Sequence, residues 1–483
     1  MNTFGGKILK NHMEEIIGRE HEINKLKEIK NKKDASLIAI YGRRRIGKTF
    51  LIRNFFQEDI LFEITGLFKG TPKDQLENFC NELGKKINFL ETRKIKTWLA
   101  AFQLLESLIM NSESKKKRVI FIDEFPWIAA KGSKFLMAFE NFWNQFASQQ
   151  KNLTIVICGS AASYMVKNIL KNKGGLHNRL TDKIRLQPFT LKETALYLKA
   201  KNVKYSQYDI AQLYMIIGGV PHYLNKINPT ESVSQNIDRL CFHTDGDLTL
   251  EFDLLFASLF DNSEKHLAIV KALASSLRGM SRNELLEKTG LPSGGDTSLK
   301  LEELIQSGFI NEYIFYKNKS HLKRYRLTDE YSQFYLKYMI KNKLSGPGTW
   351  INLQKSQSYK SWSGFSFENL CLKHIQSVKK ALGVSSIYTQ SSSWFNKNAQ
   401  IDLIIDRDDN VINLCEIKFL NNDFQLTKQD YLNIKNKVYE FEKETKSRKT
   451  IFITLITTFG LKPNEYSNEI ITNTLTLKDI FNT

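Results

Sequence analysis

The stretch SLIAIYGRRRIGKTFLIRNFF, Ser36 to Phe56, decides the fold of the N-terminal region. Its first six residues are apolar or small and read as a buried strand, and its last seven read as a helix. Between them, Gly42 to Thr49 fits G-x-x-x-x-G-K-[ST]. Such a loop cradles phosphate oxygens with its own N–H groups and with the helix N-terminus, and Gly42 and Gly47 let the backbone approach them. Lys48 would neutralise β/γ-phosphate charge and the Thr49 hydroxyl would ligate Mg²⁺. Arg43 to Arg45 are placed either to touch phosphate or DNA, as Arg45 would, or to form a solvated basic loop.

Two further runs, RVIFIDE and LTIVICGS, are equally short, β-branched and almost uncharged. Strands of this kind separated by helical patterns predict a parallel sheet covered on both faces. In RVIFIDEFPWI the apolar run ends in Asp123 and Glu124, which places two carboxylates at the C-terminal end of a buried strand, where ligands of open α/β sheets collect. Asp123 suits the Mg²⁺ shell, and Glu124 suits a water attacking the γ-phosphate.

GRE at Gly18 to Glu20, GRRRIGKT, FIDEFPW, CGSAASYM and GGVP at Gly218 to Pro221 together resemble the AAA+/STAND-related archaeal-type P-loop ATPases, over about residues 12 to 250. The resemblance implies that Ser160 holds the sensor-1 position beside the γ-phosphate. It implies that Arg179 reaches the nucleotide of a neighbouring subunit in a homo-oligomer, and that Pro221 lies against the nucleotide from the lid. The lid lacks an obvious sensor-2 arginine, a departure that points to a slow switch rather than vigorous mechanical cycling.

Beyond this core, expected over residues 1–190, apolar residues recur at helical spacing and predict a helical lid over 191–262. Helix, helix, turn, helix and two strand-like runs then predict a winged helix-turn-helix over 263–340, with TSLKLEELIQ in the recognition position. Its basic wing, Lys317, Lys319, Lys323 and Arg324, would supply DNA phosphate contacts, whereas Glu302 and Glu303 would meet phosphates unfavourably if they faced the duplex. The Gly/Ser/Pro-containing stretch 341–360 reads as a linker.

The last region, 361–483, contains IDLIIDRDDNVINLCEIKF, a hairpin of apolar strands carrying Asp402, Glu416 and Lys418. Glu416 and Lys418 share one strand face. In FSFENLCLKHI, Glu368 is expected near the start of an amphipathic helix. Helix with Glu, strand with Asp and strand with Glu-x-Lys resemble the PD-(D/E)XK nuclease-like domains, and also the C-terminal domain commonly fused to the ATPases named above. Ile rather than Pro precedes Asp402. The resemblance implies that Glu368, Asp402 and Glu416 converge on Mg²⁺ and that Lys418 orients the attacking water. The competing reading is a cross-strand ion pair.

A chain of 483 residues with 42% hydrophobic and 25% charged residues is globular and modular. Its formal net charge of +19 attracts polyanions, which makes DNA the expected partner class. Five scattered cysteines suggest neither a disulfide framework nor a zinc ribbon. No apolar run is long enough to span a bilayer, and a cytoplasmic protein is expected. The expected fold is therefore multidomain α/β: a P-loop NTPase sheet with a helical lid, a winged helix-turn-helix, and a restriction-endonuclease-like α/β domain. The expected function is an ATP-regulated, Mg²⁺-dependent nuclease in DNA processing or genome defence. The alternative is a nucleotide-dependent DNA- or partner-binding switch with a non-cleaving nuclease-like domain.

Overall fold

The computed structural model describes residues 15–87, 92, 94–113, 115–130, 132–170, 178–260, 262–276, 278–316, 323–343 and 345–482. The chain packs as two compact units, Met1–Gln187 and Pro188–Thr483.

The first unit is built on five strands: β1 (Ser36–Tyr41), β2 (Ile60–Thr65), β3 (Arg118–Asp123), β4 (Leu153–Gly159) and β5 (Asp182–Arg185). Their order is β2-β3-β4-β1-β5 and every pairing is parallel. The continuous apolar runs are explained by the two faces of this sheet, because alternate residues enter different cores. Ile120, Ile122, Ile155 and Ile157 pack on one face, with Phe79, Phe102, Phe135 and Phe139 from the helices that cover it. Val119, Phe121, Val156 and Cys158 pack on the other with Leu26, Leu51 and Phe56. At the register Ile40↔Cys158 and Ile122↔Ile157, the C-terminal ends of β1, β3 and β4 come level. The loops carrying GRRRIGKT, DEFPW and GSAAS therefore share one sheet edge.

The second unit opens with the helices Leu191–Ala200, Gln207–Ile217, Val233–Phe242 and Glu251–Leu259. The first three begin at capping boxes built by Thr190, Ser206 and Ser232. Next come the helices Glu264–Ala274, Arg282–Thr289 and Gly295–Gln306, with a three-stranded antiparallel sheet of β6 (Met280–Ser281), β7 (Ile310–Ile314) and β8 (Lys323–Leu327) in the order β6-β8-β7. A second five-stranded sheet follows: β9 (Thr389–Phe395), β10 (Gln400–Arg407), β11 (Val411–Lys418), β12 (Thr450–Thr457) and β13 (Asn473–Thr476). It is mixed, antiparallel from β9 to β11 and parallel from β11 to β13.

Two sequence expectations are corrected here. The stretch read as a linker is a packed anchor. The helix Thr349–Leu353 buries Trp350 completely against Phe242, Phe334, Tyr338 and Trp362. The buried Asp238 carboxylate accepts the N–H groups of Gly348 (2.6 Å) and Trp350 (2.7 Å), so turn residues that suggest flexibility instead enter a core. Glu368, in turn, does not begin its helix. Ser356 caps the helix Gln357–Lys373, so Glu368 lies toward its C-terminal end.

Candidate functional site

The GRRRIGKT loop closes over a chain of short hydrogen bonds. Gly42 has φ 149° and a Cβ there would lie 2.2 Å from the Leu186 carbonyl oxygen; Gly47 has φ 86° and precedes the helix Lys48–Phe56. Both positions demand glycine, one for space and both for backbone conformation. The buried Lys48 ammonium donates to the carbonyls of Gly42 (3.0 Å) and Arg43 (2.8 Å). Burial lowers the Lys48 pKa, Cys158, Glu124 and Asp123 oppose the shift, and Arg44 adds to it.

The Thr49 hydroxyl donates to Asp123 Oδ2 at 2.6 Å, and Asp123 Oδ1 accepts the Glu124 N–H at 2.9 Å. Glu124 stands in the left-handed region at φ 47°. Its two carboxylate oxygens are both held by Ser160, through the hydroxyl at 2.6 Å and the backbone N–H at 3.2 Å. Gly42, Gly47, Lys48, Thr49, Asp123, Glu124 and Ser160 are thus brought together, and Arg45 lies in the same loop at φ 69°. Arg179 is exposed in the turn before β5 and takes no part in this hydrogen-bonded set. Pro221 opens the short helix Pro221–Leu224 in the second unit.

One residue of this site went unassigned in the sequence. Arg19 is buried, in left-handed conformation at φ 60°, and donates to Ile46 O (3.0 Å) and Gln187 O (2.6 Å), fastening the loop from below. The GRE triplet carried the only signal, an arginine directly after a glycine and before a helix.

The hairpin of β10 and β11 places a second group of charges. Leu403 pairs with Cys415 and Ile404 with Leu414. Ile404 and Leu414 lie in one core while Leu403, Cys415 and Ile417 lie in the other, so Glu416 and Lys418 share the Ile404 face, and Asp402, at the irregularity between Ile401 and Ile404, lines the same cavity as they do. A cavity of about 330 Å³ opens there, lined by Asp402, Glu416, Lys418 and, from the helix Lys428–Thr445, Asp430, Asn433 and Lys437. Glu416 is answered twice, by Lys418 at 2.9 Å and Lys437 at 2.6 Å. Burial works to raise its pKa, but these two ammonium groups hold it below the usual carboxylate range. Glu368 is pushed up to about 8 by burial and by the Asp402 charge, with Glu416 adding and Arg326 and Lys437 opposing. The carboxylates are therefore electrostatically coupled. Among the described residues, however, no three His, Cys, Asp or Glu side chains stand as a ready-made metal cluster. Lys437 was missed in the sequence although D-x-x-N-x-x-x-K, Asp430 to Lys437, has the spacing of one helix face.

The wing residues are placed differently from the DNA-facing expectation. Lys317 and Lys319 lie outside the described residues. Lys323 pairs with Glu312 on the adjacent strand at 2.9 Å. Arg324 is turned inward: it pairs with Glu284 at 2.9 Å, donates to Gly279 O at 2.8 Å, and lies over the rings of Phe315 and Phe395. A basic residue on a short strand can serve packing as readily as phosphate, and here the aromatic neighbours decide. Glu303 is likewise taken up, by His266 at 2.7 Å and Lys300 at 3.0 Å.

Residues 16–227 match the model of a family described as an ATPase domain predominantly from Archaea, and residues 336–434 match one described as archaeal and bacterial proteins of unknown function. An uncharacterized protein of Methanocaldococcus jannaschii is 25% identical over 393 residues, 80% of this chain and 84% of its own. Among solved structures, the Walker-type ATPase of Pyrococcus abyssi is similar with a TM-score of 0.48 and 19% identity, over 66% of this chain and 96% of its own. The ORC2 protein of Aeropyrum pernix is similar with a TM-score of 0.42 and 14% identity, over 68% of this chain and 95% of its own. No helix of the described residues is long and apolar enough to cross a membrane. The chain is therefore similar over residues 16–227 to an archaeal-type ATPase domain, the stretch that carries the GRRRIGKT loop, and over residues 336–434 to the second family.

Proposed function

We propose that this chain is a slow, Mg²⁺-dependent ATP switch whose second unit acts on DNA. One observation carries the ATP half: the continuous chain Thr49–Asp123–Glu124–Ser160 at the mouth of a loop whose lysine is buried and aimed inward. The Thr49 hydroxyl and the Asp123 carboxylate, in contact with each other, are hard oxygen donors and fit Mg²⁺. When bound with ATP, that ion would supply charge neutralisation to the phosphates. Lys48 would meet the same oxygens, Gly42, Arg45 and Gly47 would shape the cradle, and Glu124 would take the proton of the attacking water. Ser160 would exchange its hold on Glu124 for a γ-phosphate oxygen. By resemblance, Pro221 closes the site from the lid and Arg179 serves a neighbouring copy. Lys48→Ala should abolish ATP binding, whereas Glu124→Gln should keep nucleotide and slow turnover by about 10²- to 10⁴-fold. Undiminished binding and turnover in Lys48→Ala would remove the assignment.

A second reading concerns the C-terminal unit and is favoured by Asp402, Glu416 and two lysines in one cavity, with Glu368, which does not line it, within electrostatic reach of both carboxylates. We assign residues 191–262 to the lid, 263–340 to a winged helix-turn-helix, and 361–483 to a nuclease-like domain. Glu368, Asp402 and Glu416 offer only oxygen donors, the chemistry Mg²⁺ takes. A cation there would have to displace an ammonium from Glu416, since both oxygens are occupied. Lys418 would then be released toward a phosphate or its attacking water. Mg²⁺-dependent DNA cleavage, lost in Asp402→Asn with ATP binding intact, is the expected result. DNA binding without cleavage under any metal would leave the non-cleaving switch.

A further inference from the structure

The helix Pro72–Gly84 serves two environments. Phe79 and Leu83, four residues apart, enter the core on one face of the parallel sheet. Lys73, Leu76, Glu77 and Cys80 instead line a cavity of about 770 Å³. Trp98, at the start of the helix Trp98–Met110, and Ile95 and Lys96 just before it form a second wall, and Lys134, directly before the helix Phe135–Gln145, stands at a third. Segments far apart in sequence thus enclose one space within the first unit. Among the described residues, none of the GRRRIGKT, DEFPW or GSAAS loops lines it.

The inner wall is apolar. Trp98 is buried and set edge-on against Phe79 (5.4 Å) and Phe135 (4.7 Å), which fixes the indole, and Leu76 and Ile95 are half-buried beside the cavity. Burial, with the Glu77 charge adding, pushes the Cys80 thiol up to about 11, so it meets the cavity as a neutral, small hydrophobe. The rim is cationic. Lys73, Lys96 and Lys134 are exposed, no ion pair to any of them occurs among the described residues, and Glu77 is the opposing charge of the described lining. Clustered ammonium groups of one sign concentrate anions, while apolar wall removed from water rewards an apolar body. The volume lies within the roughly 300–1,000 Å³ of pockets that take small organic ligands.

We propose that this cavity binds a small amphipathic anion, with its apolar body against Trp98, Leu76 and Ile95 and its anionic head among Lys73, Lys96 and Lys134. The two parts of the wall set the class. A bare inorganic anion would leave the apolar wall uncovered, and a neutral apolar molecule would leave the lysines unanswered. The site is separate from the nucleotide loop and does not rest on the ATP reading.

The probe is octanoate, titrated by calorimetry against the full chain carrying Lys48→Ala, which removes the P-loop ammonium as a competing anion site. Octanoate should bind. Lys73→Ala, Lys96→Ala and Lys134→Ala together should weaken it about tenfold, a modest loss because exposed ion pairs are individually weak. All three are surface positions, so the fold should survive their removal. Leu76→Asp, which sets a charge in the half-buried wall, should abolish measurable binding, with an unchanged circular dichroism spectrum as the check on folding. Acetate, a head without a body, should not bind measurably, and 1-octanol, a body without a charged head, should bind about tenfold more weakly than octanoate. Absence of octanoate binding, or an affinity untouched by the triple lysine variant, overturns the proposal. Equal affinity for 1-octanol and octanoate overturns the anionic class and leaves an apolar pocket.

Discussion

In the proposed ATP switch Glu124 is the residue on which turnover would turn, and its partner makes a specific demand. Because Ser160 holds both oxygens of the carboxylate, the two residues should not act independently. In a double-mutant cycle, adding Ser160→Ala to Glu124→Gln should change turnover by far less than Ser160→Ala does alone, a coupling of about 0.5–3 kcal/mol. Multiplicative effects would show that the hydrogen bonds play no part in catalysis. Glu368 offers a readout without any substrate. Its value of about 8 lies above the ordinary 4.5, so across that window the folded chain keeps a proton that the unfolded chain has released. Stability should therefore be fully present below pH 4.5, fall as pH rises toward 8, and level off beyond it. Glu368→Gln should remove that component of the slope in denaturant midpoints measured across pH; an unchanged slope would mean that the carboxyl is not held protonated. The grouping of Lys48, Thr49 and Asp123 was legible because short motifs place each at a strand end or the loop beside it. Arg19 and Lys437 were not, because each acts at a distance in sequence, on Ile46 and Glu416, and only folding brings the partners together.

At the scale of elements, the apolar strands β1, β3 and β4 could be read directly, since a sheet buried on both faces leaves an uninterrupted hydrophobic run. The mixed hairpin of β10 and β11 was legible for the opposite reason, Glu416 and Lys418 falling on a single face. What misled was composition in short segments. Stretch 341–360 has the glycine, serine and proline of a linker, yet Trp350 is a core residue, and Trp350→Ala should cost about 3–5 kcal/mol in denaturant unfolding. A loss under 1 kcal/mol would return the segment to a linker. β8 is the second case: KRYRL looks like a phosphate-binding wing, but Arg324 lies over two rings and against Glu284. Arg324→Ala should lower stability by about 2 kcal/mol and leave the salt dependence of DNA binding untouched. A flattened slope with unchanged stability would restore the wing to the duplex.

For the whole molecule, a net charge of +19 makes polyanion binding a property of the sum rather than of one strand. DNA affinity should fall steeply with salt, each neutralised phosphate contributing a slope of about −0.9 in log–log form. Salt-independent binding would point to a protein partner instead. The division at Gln187 and Pro188 also gives the five cysteines a use. All are buried and unbonded, Cys80 and Cys158 in the first unit and Cys241, Cys371 and Cys415 in the second. The native chain is thus closed to thiol reagents, and alkylation becomes a clock for opening. Pulses of an alkylating reagent read by peptide mass would time the two units separately, with nucleotide expected to slow modification of Cys158, which sits behind Lys48 and Asp123, more than that of Cys415.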